Sequence, residues 1–100
     1  MSNLDFLRDL EAIIGERIDT DSARSYTAKL AASGDKRVAQ KLGEEAVELA
    51  LAATAGDRDE QIDEAADLVF HLLVLLSTKG LSLEDVVARL KERHELANGS

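Results

Sequence analysis

The sequence predicts an all-α fold, a helical bundle of four main helices and one short helix, and three observations lead there. Apolar residues recur at helical spacing, and no stretch alternates with period two over a useful length. Proline is absent, and Gly34, Gly56 and Gly80 each close an apolar or amphipathic stretch, as glycines following a helix do. At 100 residues, one domain over residues 1–100 is expected.

The first helix is expected over 4–15. Ser2 or Asn3 caps it, Leu4, Leu7, Leu10 and Ile14 share one face, and Gly15 ends it. Residues 16–24 read as a polar connection. A short helix follows over 26–33, ending at Gly34. The third covers 36–55 with Asp35 as its cap. The fourth covers 58–79, opened by Asp57-x-x-Glu60, and the fifth covers 83–96, opened by Ser82-x-x-Asp85. Both openings resemble capping boxes. The segments Leu49–Ala55 and Leu68–Leu76 are apolar almost all the way round. Such helices need cover on every side. A chain this short cannot supply it, so a homodimer is expected to complete the bundle.

Composition excludes several functions. Without cysteine there is no thiol nucleophile, disulfide or zinc–thiolate site. Aromatic residues make up 3% of the chain, too few for a single-strand stacking platform. A net charge of −8 opposes a general grip on nucleic acid or an anionic membrane, so neither is expected as a partner. The N-terminus carries acids where a signal peptide needs bases. The longest apolar run is far short of the ~20 residues that span a bilayer. A cytoplasmic location is expected.

The charge is uneven. Residues 1–22 carry −4, residues 23–43 carry +4, residues 44–67 carry −8 and residues 68–100 are neutral. In the acidic segment Glu44 and Glu48 are i,i+4 neighbours, and Glu45 and Glu48 are i,i+3 neighbours. On the next helix Glu64 and Asp67 are i,i+3, with His71 one turn beyond. An isolated E-E-x-x-E string is ordinarily a solvated helix face. Here two carboxylate pairs sit in apolar helices that the break at Gly56 should lay antiparallel. Like charges at this spacing repel, and more so when desolvated. A divalent cation compensates them, and Mg²⁺ prefers hard carboxylate oxygens.

At these residues the chain resembles a known family. Gly43-Glu-Glu-Ala-Val-Glu48 followed by Glu64-Ala-Ala-Asp67 is similar to the EExxE…ExxD pattern of the MazG-like all-α NTP pyrophosphatases. Ser25–Leu30, Lys41–Ala46, Asp63–Leu68, His71–Leu75 and Lys79–Val86 together resemble, within that superfamily, the phosphoribosyl-ATP pyrophosphatases. The likeness runs from about Leu4 to His94. It implies Mg²⁺-dependent hydrolysis of phosphoribosyl-ATP to phosphoribosyl-AMP and pyrophosphate, the second step of histidine biosynthesis. It also puts Glu45, Glu48, Glu64 and Asp67 on the metal-ligand positions, with Glu44 the remaining acid of the motif. Some members are fused to a phosphoribosyl-AMP cyclohydrolase domain. This chain has neither the length nor the cysteines for one, so only the pyrophosphatase step is expected.

Glu44 or Glu48 is the candidate to take the attacking water's proton. Lys29, Lys36, Arg37 and Lys41 are candidates to hold phosphate oxygens. For Lys41 the alternative is a helix salt bridge, and for Arg24, Lys36 and Arg37 it is plain surface charge. Ser25 and Thr27 offer hydroxyls to phosphate or ribose, or act as caps. Tyr26 stacks on a base or ribose, or is buried in the core. His71 orients Asp67 by a hydrogen bond, or is a core residue. His94 reads as solvated. Two other readings compete: a house-cleaning nucleotide pyrophosphatase with the same metal site, and a non-catalytic acidic helical module that binds a basic partner.

Overall fold

Five helices in chain order make up the computed structural model, which describes residues 2–21 and 23–98. A 3-10 turn at Asn3–Asp5, capped by Ser2, leads into α1 (Phe6–Arg17). There follow α2 (Tyr26–Ala32), α3 (Asp35–Ala55), α4 (Arg58–Thr78) and α5 (Leu83–Ala97). No strand occurs among the described residues, and the all-α expectation holds.

Two local expectations need correction. The first helix does not stop at Gly15 but runs on to Arg17, and Ile18 N–H still donates to the Ile14 carbonyl at 3.0 Å. Nothing crowds Gly15 or gives it an unusual backbone, so the chain loses little by continuing. Asp35 is not a cap. It opens α3 as its first residue, and its carboxylate instead receives Lys79 Nζ at 2.9 Å. Gly56 closes α3 as the sequence predicts, and does so with an ordinary φ of −89°. It is small because the chain passes close to itself: a Cβ there would lie 2.9 Å from the Ala52 carbonyl oxygen. Gly80 does what was expected of it. With φ at +70° it lets Leu81 N–H reach back to the Leu76 carbonyl at 2.9 Å, closing α4.

Caps form at the predicted residues of α2, α4 and α5, although of the two predicted capping boxes only that of α5 is reciprocal. Ser25 accepts from Ala28 N–H, Asp57 accepts from Glu60 N–H, and Ser82 and Asp85 form a reciprocal capping box.

α3 and α4 form the most extensive helix pair. They are joined at Gly56, and their far ends meet through Asp35 and Lys79, so they run antiparallel. The buried core comprises Ile14, Leu30, Val38, Leu73 and Val74, with Leu7, Leu10, Ile18, Phe70, Leu75 and Leu83 packed around it. It sits where α1 and α2 cross the first half of α3 and the last half of α4.

α5 buries no residue fully. It is tied down by Leu83, which packs on the core and whose N–H donates to Glu11 Oε2 at 2.6 Å. Val47, Leu51, Ile62, Val87, Leu90 and Leu96 are exposed. The radius of gyration is 15.3 Å, against about 13 Å for a close-packed domain of this length. No single helix among the described residues is long and apolar enough to cross a membrane.

Candidate metal centre

Glu45 lies on the α3 face that also carries Val38 and Leu49, which turns its carboxylate toward α4 and buries it to 6% exposure. Glu48 follows one turn later and is exposed, while Glu64 faces the pair from α4 and is half-buried. One carboxylate oxygen from each of the three lies within 4.8 Å of the others. The cluster is therefore able to hold a metal ion.

Its electrostatics point the same way. Lys41 Nζ stands 3.4 Å from Glu45 Oε1. Glu45 Oε2 and Glu64 Oε2 are buried and have no hydrogen-bond partner among the described residues. A buried carboxylate oxygen without a partner is costly, and this cluster holds two. Burial, followed by the hydrogen bond and charge of Glu48 and the charges of Asp67 and Glu45, holds the Glu64 carboxyl above its ordinary value. Desolvation works against the charged form of Lys41. The negative forms of Tyr26, Glu45 and Glu44 outweigh it and raise the Lys41 pKa. Hard oxygen donors with orphaned lone pairs suit a small divalent cation.

The other candidate residues are placed as follows. Asp67 is exposed and lies outside the cluster of three, although its charge acts on Glu64. Glu44 points away toward basic neighbours: Arg37 at 3.8 Å, Lys41 at 3.7 Å and the Gln40 amide, which donates at 3.2 Å. Lys41 thus forms the helix salt bridges that were its alternative reading. Lys29 and Lys36 are exposed on α2 and α3. The Ser25 hydroxyl is engaged as the α2 cap, and Thr27 is buried.

Two readings of the aromatic neighbours change. His71 does not bond the Asp67 carboxylate; its Nδ1 donates to the Asp67 backbone carbonyl at 2.7 Å, as one turn of helix permits. Tyr26 is not buried in the core, being 51% exposed, and its hydroxyl meets His71 Nε2 at 2.9 Å. These two residues are 45 apart in sequence, and nothing local signals their pairing. Sequence reasoning also passed over Arg17. With Thr20, Asp21, Arg24 and Ser25 it lines an open cleft of about 530 Å³. A helix thought to end at Gly15 hid its position.

Comparison with known proteins places the chain in a family. The family described as phosphoribosyl-ATP pyrophosphohydrolase matches residues 7–94. The chain is 56% identical to the histidine biosynthesis bifunctional protein HisIE of Vibrio cholerae over 94 residues, 94% of the chain and 45% of that protein. Against the proteins of the same name from Escherichia coli K12 and Campylobacter jejuni it is 57% and 58% identical over 90 residues, 90% of the chain and 44% of each relative. The chain therefore spans less than half the length of these relatives. It belongs to the phosphoribosyl-ATP pyrophosphohydrolase family.

Proposed function

We propose that this chain hydrolyses phosphoribosyl-ATP to phosphoribosyl-AMP and pyrophosphate, as a step of histidine biosynthesis, with Mg²⁺ as the cofactor. The observation that carries the reading is the carboxylate cluster with its two orphaned buried oxygens, in a chain of this family. Glu45, Glu48 and Glu64 would hold the metal, with Asp67 joining them from the next turn of α4. Bound there, Mg²⁺ supplies charge neutralisation for the phosphate oxygens and the leaving pyrophosphate.

The protein's own residues do the rest. The carboxylates fix where the triphosphate lies, and Lys41, one turn from Glu45, offsets part of their charge on the substrate side. The P–O bond between the α- and β-phosphates breaks as water attacks. Pyrophosphate leaves with the bonding pair, and the water's proton passes to Glu48 or, once its carboxylate turns from Arg37 and Lys41, to Glu44. Lys29, Lys36 and Arg37, exposed on α2 and α3, are the residues to supply further positive charge to the phosphates. Ser25 and Thr27 act through the placement of α2.

The working unit is a homodimer of this single domain, acting in the cytoplasm. Its support is the apolar surface of α3 and α4 at Val47, Leu51 and Ile62, together with the loosely packed α5.

Pyrophosphate release from phosphoribosyl-ATP, assayed with and without Mg²⁺ beside a panel of nucleoside triphosphates, tests the reaction. Metal-dependent turnover fastest on phosphoribosyl-ATP is expected. Faster turnover of ordinary or damaged triphosphates would overturn it, and no release at all would leave the acidic helical module in its place.

A further inference from the structure

We infer that Tyr26 is a substrate-contact residue whose exposed ring receives the base of the nucleotide, and that His71 is the positioning residue that holds the ring ready. The inference rests on the reading above, in which the carboxylate cluster takes the phosphates.

The orientation of Tyr26 is the reverse of the usual one. A surface tyrosine normally buries its ring and leaves its hydroxyl in water. Here the ring is half open to solvent while the hydroxyl is turned inward to a histidine only 6% exposed. The direction of each hydrogen bond follows from chemistry. The Asp67 carbonyl can only accept, so His71 Nδ1 carries the hydrogen. In the neutral imidazole Nε2 then presents its lone pair, and the Tyr26 hydroxyl donates to it. The ring is also stacked on Phe70, with centroids 6.2 Å apart and an interplanar angle of 30°, and meets the edge of His71 at 5.9 Å. An aromatic ring held by both Phe70 and His71 and still exposed has less conformational freedom to lose, so covering it costs less further entropy.

Its position fits one end of a nucleotide. Glu64, Asp67 and His71 follow one another at i, i+3 and i+7 on α4, so they line one stripe of the helix. Along that stripe His71 lies about 10 Å from Glu64 and about 6 Å from Asp67. Lys41, 3.4 Å from Glu45, is close enough to Tyr26 to be coupled to it electrostatically as well. A nucleoside polyphosphate with its phosphates at the cluster has its ribose over this interval and its flat heterocycle at the ring.

The protein has one tyrosine and no tryptophan, so every tyrosine ring resonance belongs to Tyr26. The chain titrated with Mg²⁺ and AMP should show these resonances moving upfield, whereas Mg²⁺ with pyrophosphate should leave them in place. In steady-state assays on phosphoribosyl-ATP, Tyr26→Leu should raise KM about tenfold with kcat changed less than about twofold. Tyr26→Phe keeps the ring and should keep most of the affinity. His71→Gln should fall between the two.

Equal shifts with AMP and pyrophosphate would overturn the inference. So would a Tyr26→Leu variant with unchanged KM, or ring resonances that respond to protein concentration alone, which would mean a second copy covers the ring. If the wild-type chain releases no pyrophosphate but AMP still shifts the ring, the reaction proposed above fails and the role of Tyr26 toward nucleotides stands.

Discussion

The two ends of the α3–α4 hairpin are built from the same pair of helices and are stabilised in opposite ways. At the end where α3 begins and α4 finishes, Val38, Leu73 and Val74 pack with Ile14 and Leu30 into a closed core. Toward Gly56 the inward positions carry Glu45 and Glu64, Ala52 is the buried apolar residue, and Val47, Leu51 and Ile62 face outward. One end gains stability from apolar burial. The other gives up that burial to bring like charges together, which costs stability until a cation binds. The hairpin teaches that a site of this kind is a region where core residues have been replaced by ligands, supported by the packed region beside it.

The largest effect expected is on activity at the acidic end. Glu48→Gln keeps the size and most of the polarity of the side chain but removes a charge, and should lower kcat on the order of 1,000-fold. Asp67→Asn should lower it as well, by less, because Asp67 lies outside the cluster of three. Circular dichroism on both variants should be native. Full turnover by both would break the comparison, since the acidic end would then be no site at all.

A core change at the packed end should instead act on stability. Leu73 is almost wholly buried, and Leu73→Ala is expected to cost about 2–5 kcal/mol in denaturant unfolding. Metal-dependent activity should survive at temperatures where the variant stays folded. A loss of activity without a loss of stability would show that the two ends are not separable.

How far the sequence disclosed this follows from which interactions are local. The helix starts at Tyr26, Arg58 and Leu83 were legible because Ser25, Asp57 and Ser82 act on backbone three residues away. Glu45, Glu48 and Glu64 were legible as a group because helical spacing and one short turn fix which faces meet. Tertiary contacts were not. Asp35 carries the local signature of a cap, while its partner, Lys79, is 44 residues away. Tyr26 was read as core or as a stacking residue, and neither its exposure nor its bond to His71 is written in the residues near it. The isolated E-E-x-x-E string also does not reveal that Glu44 turns to Arg37 and Lys41 while Glu45 turns inward. That depends on one step of helix rotation relative to α4.

A smaller effect than the loss in the core is expected from neutralising the cluster without metal. Glu64→Gln removes one of the repelling charges, so the metal-free variant should melt above the metal-free wild type. Mg²⁺ should then raise the melting temperature of the wild type but leave the variant nearly unchanged. If Mg²⁺ stabilised both equally, the cation would be acting somewhere other than this cluster.

The smallest effects concern pH, and they set the cluster against an ordinary cap carboxylate. Glu64 has its pKa raised in the folded protein, by burial first and then by its neighbours. Its contribution is most favourable at pH below the ordinary glutamate value, where it is protonated folded or unfolded. That contribution is lost as pH rises through the raised value. Asp85 has its pKa lowered, first by the Ser82 backbone N–H and then by the Ser82 hydroxyl. Its contribution is present above the ordinary aspartate value and is lost as pH falls through the lowered one. In metal-free melts, the advantage of Glu64→Gln over wild type should therefore shrink as the solution is acidified. The deficit of Asp85→Asn should shrink too, but only at lower pH, because its folded-state pKa is moved in the other direction. A variant difference that stayed constant across both windows would mean that the carboxylate concerned has the same environment folded and unfolded. For Glu64, that would remove the repulsion on which the contrast between the two ends depends.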